Sequence, residues 1–477
     1  MAVESQRRFV LSIVLTACWA SAAAAQTPAE RKLQRDIYQE LVEINTTDSV
    51  GNNTRAAQAM AQRLKTAGFT DPDVQVLVPT GAPRKGNLVA RIHGSGAQKP
   101  LLLLAHLDVV EAKREDWTRD PFKLVEEGGF FYARGSSDDK AMAAVFVDVM
   151  IRLKREGFRP NRDIVLALTS DEELGGSSEY NGVEFLLRAH KSLIDAELAL
   201  NEGGGGRVGA DGKYERLNIQ VSEKVYQDYR LQITNVGGHS SVPKPDNAIY
   251  RLSEALARLG KFQFPATLNE GTRAYFDRAA KANSGQLAAD MRAILVDPPD
   301  ATALERLSAV PDINAQLRTT CVATMIDGGH APNALPQRVQ ATVNCRILPG
   351  EPVKDVESTL TRVFADEGIA IAPIGRTTLS PPSPLKEDIM TAVESIAGAM
   401  FPGVPVMPIM SAGGTDGRFL NNDGIRTYGV SGMFNPADTG THGLNERFRV
   451  AALYEGQQFL YRLTKALSSP PAASTKP

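Results

Sequence analysis

Glu172 and Glu173 stand side by side in Thr169-Ser170-Asp171-Glu172-Glu173-Leu174-Gly175-Gly176, directly after the apolar, strand-like stretch 164–168. Neighbouring side chains at the end of a strand diverge, so one carboxylate can bind a metal while the other takes a proton from an activated water. Spacing alone leaves open which glutamate does which. The other ligands must come from elsewhere in the chain.

His106-Leu107-Asp108 closes a second apolar run, 101–105. A His at the carboxyl end of a strand lies where open α/β sheets put their ligands, and Asp108 is spaced to orient its ring. A buried structural His with a turn-forming Asp reads the same way. In Arg134-Gly135-Ser136-Ser137-Asp138-Asp139-Lys140 the two aspartates can cap the helix that follows, or ligate. Glu202 follows the apolar stretch 197–200 and precedes four glycines, which let backbone approach closely. Thr441-His442-Gly443-Leu444-Asn445-Glu446 supplies one more of only six His in the chain. Two His, a shared Asp and two Glu offer oxygen-rich coordination for two divalent ions about 3.5–4 Å apart, suited to zinc, cobalt or manganese.

The elements that must position these groups follow an α/β pattern. At 477 residues the chain suggests two domains, and 23% charged residues with a net charge of -2 argue against a nucleic-acid surface, leaving small molecules as partners. Residues 28–68 read as helical, 101–105 as a strand buried on both faces, 141–153 as a helix and 163–168 as the next strand, the grammar of a mostly parallel sheet flanked by helices. From 225 to 380 the order becomes βαββαβ, an inserted two-layer lid domain, with strands expected over 229–234, 321–326, 340–347 and 369–374 and helices over 247–259 and 353–364. A polar, helix-prone insert over 261–318 interrupts it and would widen the lid. The first pattern returns over 381–467, so the catalytic domain is expected in two parts, 26–224 and 381–467, with 468–477 as a Ser-, Pro- and Ala-rich disordered tail.

Arg7 and Arg8 precede an apolar run, 9–17, and small residues, 21–25, as in an export signal cut after Ala25. The mature protein is therefore expected in the periplasm, with no segment long and apolar enough to span a bilayer. Leu15-Thr16-Ala17-Cys18 offers a second outcome, lipid anchoring through Cys18.

In order along the chain, His106-Leu107-Asp108, Gly135 to Lys140, Asp171-Glu172-Glu173, Glu202, Gly237-Gly238-His239, Asn333, Arg346, Gly413 to Asp416 and His442 resemble the M20 family of metallopeptidases, which includes carboxypeptidases and aminoacylases. The resemblance implies that Asp138 bridges two metals, that His106 and Glu202 complete one site and Glu173 and His442 the other, and that Asp108 orients His106. It implies Glu172 as general base, His239 as a stabiliser of the oxyanion, a cis peptide between Asp138 and Asp139, and substrate contacts by Asn333, Arg346, Gly413, Gly414 and Thr415. The insert around Leu268 to Phe276 is similar to the carboxypeptidase S branch. A peptide or N-acyl amino acid with a free carboxylate is then the expected substrate, in a chain that can dimerise through its lid with His239 acting across subunits.

An aminoacylase needs the same metals, base and clamp and differs only in its acyl pocket. An inactive peptide-binding protein would have no use for Glu172, and an M28-type aminopeptidase would lack Gly238-His239 and Arg346. One expectation owes nothing to the resemblance. If the strands carrying Cys321 and Cys345 form a hairpin centred near Asn333, the two thiols face each other and can bridge in an oxidising compartment, whereas a one-residue slip would separate them.

Overall fold

The structure, a computed structural model, describes residues 26–175 and 178–470. The expected leader over 1–25, with Cys18, lies outside the described residues, as do residues 471–477 of the tail expected over 468–477, whereas Ser468 is buried and its carbonyl accepts from the Asn161 N–H, so the tail starts later than expected.

Two helices open the chain, α1 (Pro28–Glu43) and α2 (Asn53–Thr66), where the helical spacing predicts one. The break has a local cause. The Asn52 side chain caps α2 by accepting from the Arg55 N–H, and Thr46, buried between the helices, donates its hydroxyl to the Leu107 carbonyl beside His106. The α2 helix stops at Gly68, whose φ of 100° suits glycine.

Strands β1 (Val74–Leu77), β2 (Asn87–Ile92) and β3 (Leu101–His106) follow, then the hairpin of β4 (Val125–Glu127) and β5 (Phe130–Tyr132), helix α3 (Lys140–Arg155) and strand β6 (Ile164–Thr169). After α4 (Gly182–Ala189) and α5 (Lys191–Ile194) come β7 (Leu198–Asn201), β8 (Gly206–Val208) and β9 (Tyr214–Glu223). Strands β6, β3 and β7 are neighbours and run parallel at the centre of a ten-stranded sheet. All six residues of β3 are buried, and they alternate: Leu101, Leu103 and Ala105 enter the core under α1, α2 and α3, while Leu102 and Leu104 enter the core against α4 and α5. Each such leucine contributes about 1.5–3 kcal/mol on burial, which is why the run is continuously apolar.

The smaller layer comprises β10 (Val225–Thr234), the short β11 (Gly238–His239), α6 (Ala248–Leu259), then four helices, α7 (Glu270–Ala282), α8 (Gly285–Ala293), α9 (Ala301–Ser308) and α10 (Pro311–Leu317), followed by β12 (Thr320–Gly328), β13 (Ala334–Leu335), β14 (Arg338–Ile347), α11 (Val353–Phe364) and β15 (Ala370–Ile374). Its four-stranded sheet has the order β12-β14-β10-β15, all antiparallel. Tyr229, Leu231, Ile233, Val343 and Ile347 fill the core beneath α6 and α11. Cys321 lies directly opposite Cys345 in the β12–β14 ladder and the two are disulfide-bonded, so the register brings them together.

The four inserted helices do not widen this layer. Phe276, Ala280, Met291 and Leu307 pack with Met407 and Ile409, which belong to the large sheet. Those two residues lie on β16 (Val406–Ser411), which follows α12 (Glu387–Met400) and pairs with β9. The chain then forms α13 (Gly417–Asn422), β17 (Arg426–Gly429) beside β7, β18 (Phe434–Asn435), β19 (Arg447–Arg449) and α14 (Val450–Leu467). Because β19 pairs with β5, the late loop carrying His442 returns to the turn before α3.

Candidate dinuclear metal centre

Parallel neighbours lie about 4.8 Å apart, so residues at the carboxyl ends of β6, β3 and β7 must meet. His106 ends β3, Glu172 and Glu173 follow β6, and Glu202 follows β7. Candidate ligand atoms of His106, Asp138 and Glu173 lie within 4.8 Å of one another, as do those of His106, Glu172 and Glu202.

Asp138 is the hinge of the cluster. Its Oδ1 is 3.1 Å from His106 Nε2 and its Oδ2 3.2 Å from His442 Nε2, so one carboxylate addresses both rings through separate oxygens. His442 Nε2 is also 2.9 Å from Glu173 Oε2, and His106 Nε2 is 3.9 Å from Glu202 Oε1. The Asp138–Asp139 peptide is cis, and His442 has a φ of 61°, a left-handed conformation sparsely used outside glycine.

Asp108 holds His106 differently from the sequence expectation. His106 Nδ1 lies 3.0 Å from the Asp108 backbone carbonyl, whereas the carboxylate Oδ1 is 3.6 Å away. The carboxylate's other oxygen accepts the Glu173 N–H at 3.0 Å, so Asp108 anchors the Glu172-Glu173 turn while its carbonyl sets the ring. Asp139 stands at the N-cap of α3 but makes no side-chain cap bond, and its buried Oδ2 has no hydrogen-bond partner among the described residues.

The electrostatics ask for cations. Six carboxylates, from Asp108, Asp138, Asp139, Glu172, Glu173 and Glu202, surround two imidazoles. Burial pushes the Glu172, Glu202 and Asp139 carboxyls well above the usual carboxylate range. Burial also works against Asp138, but its hydrogen bonds to His106 and His442 hold it low. The same carboxylates draw both rings toward their protonated forms, His442 to about 10 through its hydrogen bonds with Asp138 and Glu173. Carboxylates gathered in such excess, at imidazole Nε2 atoms, fit two divalent ions.

A buried pair unforeseen in the sequence fixes this geometry. Glu446 accepts hydrogen bonds from Arg134 Nη1 at 2.7 Å and from the N–H groups of Gly135, Ser137 and Asp138 at 3.1, 2.7 and 3.2 Å. Arg134 also donates to the Gly443 carbonyl, one residue from His442. The turn carrying Asp138 and the loop carrying His442 are thereby tied together, although more than 300 residues separate them. The only local hint was an Arg before Gly135 and a Glu four residues after His442. Arg418, two residues past Asp416, is a second residue the sequence reading passed over. Its charge opposes the rise of the Glu172, Glu223 and Asp416 carboxyls, and its Nη2 is buried with no hydrogen-bond partner among the described residues.

The expected substrate contacts divide into three groups. Arg346 reaches the large domain: its Nη1 donates to the Ala412 carbonyl at 3.2 Å, beside exposed Gly413 and Gly414, and its guanidinium lies over the Tyr226 ring at 4.6 Å. Thr415 does not present its hydroxyl to the cleft, because it is buried and donates to Glu223 at 2.9 Å, as does its N–H at 2.8 Å. His239 and Asn333 form a separate pole. His239 pairs with Ala334 in the β11–β13 ladder, the Asn333 carbonyl accepts from the Ser240 N–H, and among the described residues the His239 ring bonds only Ser241. Both are exposed, and no contact joins them to the metal cluster among the described residues.

Comparison with known proteins identifies the family and the fold. The model of peptidase family M20/M25/M40 matches residues 102–466. The mouse N-fatty-acyl-amino acid synthase/hydrolase PM20D1 is 29% identical over 375 residues, 76% of this chain and 73% of that protein. A probable carboxypeptidase S-like 2 of Dictyostelium discoideum is 28% identical over 376 residues, 77% and 71% of the two chains. Among solved structures, the M20 family metallo-carboxypeptidase Sso-CP2 from Sulfolobus solfataricus shares the fold, with a TM-score of 0.69 at 19% identity over 91% of this chain and 99% of that one.

Proposed function

The chain belongs to peptidase family M20/M25/M40 and is a hydrolase, and from that premise we propose that it cleaves a peptide or N-acyl amide bond next to a residue with a free carboxylate. The observation that carries this reading is the two-sided engagement of Asp138, with one oxygen toward His106 and the other toward His442. His106, Asp138 and Glu202 would hold one divalent ion and Asp138, Glu173 and His442 the other, zinc being the best match to the donor set and cobalt or manganese alternatives. When bound, such ions polarise an amide carbonyl and make a water acidic.

The protein's own groups do the rest. Glu172 is half-buried within reach of the His106 and Glu202 ligand atoms, so it takes the proton of the attacking water and passes it to the departing nitrogen. Asp108 and Glu446 keep the ligands in place through the contacts described above. Arg346, whose planar fork suits a carboxylate, clamps the free carboxyl end beside Gly413 and Gly414. Thr415 shapes that loop from within.

His239 and Asn333 complete the site on closure of the lid or from a second copy of the chain. Support for the second route comes from the edge strand β12, whose Val322, Met325 and Ile326 are 60%, 69% and 61% exposed, a surface that monomers usually protect. Export to an oxidising compartment is supported by the Cys321–Cys345 bond. No described helix is long and apolar enough to cross a membrane.

The aminoacylase reading shares every one of these groups. Zinc-loaded enzyme assayed on N-blocked dipeptides and N-acyl amino acids tests the proposal: release of the carboxyl-terminal residue is expected, and cleavage confined to peptides with a free amino terminus would overturn it.

A further inference from the structure

Resting on the hydrolase reading above, we infer that Arg207 and Arg216 form an anion-binding subsite for the acyl side of the substrate, so that the preferred substrate bears a second carboxylate there.

A cavity of about 440 Å³ opens on Asp138, Asp139 and Glu202 and runs along Gly203 to Gly206 toward Arg207, Arg216 and Asn218. Neither Arg346 nor the Gly413–Thr415 loop lines it, so it receives a part of the substrate other than the end clamped there. Its floor is built for close approach. A Cβ on Gly204 would come within 2.0 Å of the Gly429 carbonyl oxygen, and one on Gly206 within 2.2 Å of the Phe434 ring. Only glycine lets the 203–206 segment lie this close to the backbone and core beneath the cavity.

Arg207 and Arg216 are direct partners in the antiparallel β8–β9 pair, so their side chains leave the same face of the sheet. Directly opposed like charges repel, and strands ordinarily avoid them or interleave a carboxylate. Both residues are half-buried, yet among the described residues neither guanidinium has an ion pair or hydrogen bond. Asn218, on the same face as Arg216 two residues along β9, adds an amide to the wall. Two unpartnered planar donors converging in a cavity that begins at the metal ligands match a carboxylate, which accepts such forks two oxygens at a time. The fold bears the repulsion, and a dicarboxylic acyl group or an acidic residue preceding the scissile bond would relieve it.

The test uses the zinc-loaded full chain with N-glutaryl-leucine and its terminal amide, N-glutaramoyl-leucine, which differ only in the charge at the acyl end. The wild type is expected to favour the acid in kcat/KM by at least about tenfold, and the ratio should fall to near one in the double variant R207Q/R216Q. Equal kcat/KM for acid and amide in the wild type would overturn the subsite. Binding is read separately, by the rise in Tm that free glutarate produces. Wild type and R346Q should show it, and R207Q/R216Q should lose most of it. If the shift vanishes only in R346Q, the dianion sits in the carboxylate clamp and the inference is wrong. If neither leucine conjugate is hydrolysed but the glutarate shift follows the arginine pair, the anion site stands and the hydrolytic reading falls.

Discussion

His442 lies on the loop before β19 and His239 ends the short strand β11, and their surroundings differ. His442 is held with a φ of 61° against Asp138 and Glu173, and the Arg134–Glu446 pair ties its loop to the turn it must meet. His239 is exposed and, among the described residues, its ring bonds only Ser241, within its own small layer. The large domain thus has its candidate ligand atoms already gathered, and under the proposed function the small layer carries groups that would act only after a movement or an association. The contrast separates what folding must fix, the ligand positions, from what binding can supply, the contacts to substrate.

The sharpest way to break that contrast is to remove chemistry from the large domain without disturbing its ligands. Glu172→Ala should keep two metal ions by elemental analysis and lose about 10²–10⁴ in kcat, the usual weight of a general base. Near-normal turnover would mean that the base lies elsewhere, His239 included. Arg134→Met attacks the positioning instead. Leaving Glu446 buried without its cation should cost about 3–5 kcal/mol in denaturant unfolding, and metal content should fall with it. An unchanged midpoint would show that Glu446 is held by its three backbone donors without Arg134.

The lid offers a matching test. Reduction of Cys321–Cys345, or Cys345→Ser, should lower stability by about 3 kcal/mol from the lost constraint on the unfolded chain, while the metal content of the large domain stays at the wild-type level. Loss of metal on reduction would show that the two regions do not hold their parts independently.

The smallest effect belongs to the core between α3 and α14, away from both sites. Burial raises the Asp148 carboxyl to about 7, against a hydrogen bond donated by Gln457. A carboxyl whose folded pKa lies above its unfolded value stabilises the fold fully at low pH, and that contribution is lost as pH rises from about 4 through 7. At about 1.4 kcal/mol per pH unit the span is a few kcal/mol at most. Asp148→Asn keeps an acceptor for Gln457 and should flatten this dependence, raising Tm at pH 8 more than at pH 5. Equal shifts at both pH values would remove Asp148 as the cause.

The two regions were also unequally legible in the sequence. His106, Glu172, Glu173 and Glu202 each follow an apolar run, and the carboxyl ends of parallel strands must lie together, so local pattern and topology converge on one edge. The βαββαβ order of the lid was legible for the same reason, since β10 and β14 alternate strictly between core and exterior. What escaped was long-range or irregular. Nothing local links Arg134 to Glu446, and the glycines of 203–206 erase the period that would mark β8 and the start of the Arg207–Arg216 ladder. The inserted helices look like part of the lid because they interrupt it, but their apolar faces find Met407 and Ile409 on a strand that comes a hundred residues later. Thr415 is expected as a substrate contact only through the family resemblance, and only the buried Glu223 beneath it reveals where its hydroxyl goes.

The central claim is that Asp138 joins two cation sites, and counting bound metal in the Asp138→Asn variant tests it most directly. After zinc loading, elemental analysis should find about two ions per chain in the wild type, and the variant should lose both together, since each site takes one of its oxygens from this side chain. A folded Asp138→Asn protein that still binds two zinc ions with wild-type affinity would contradict the account.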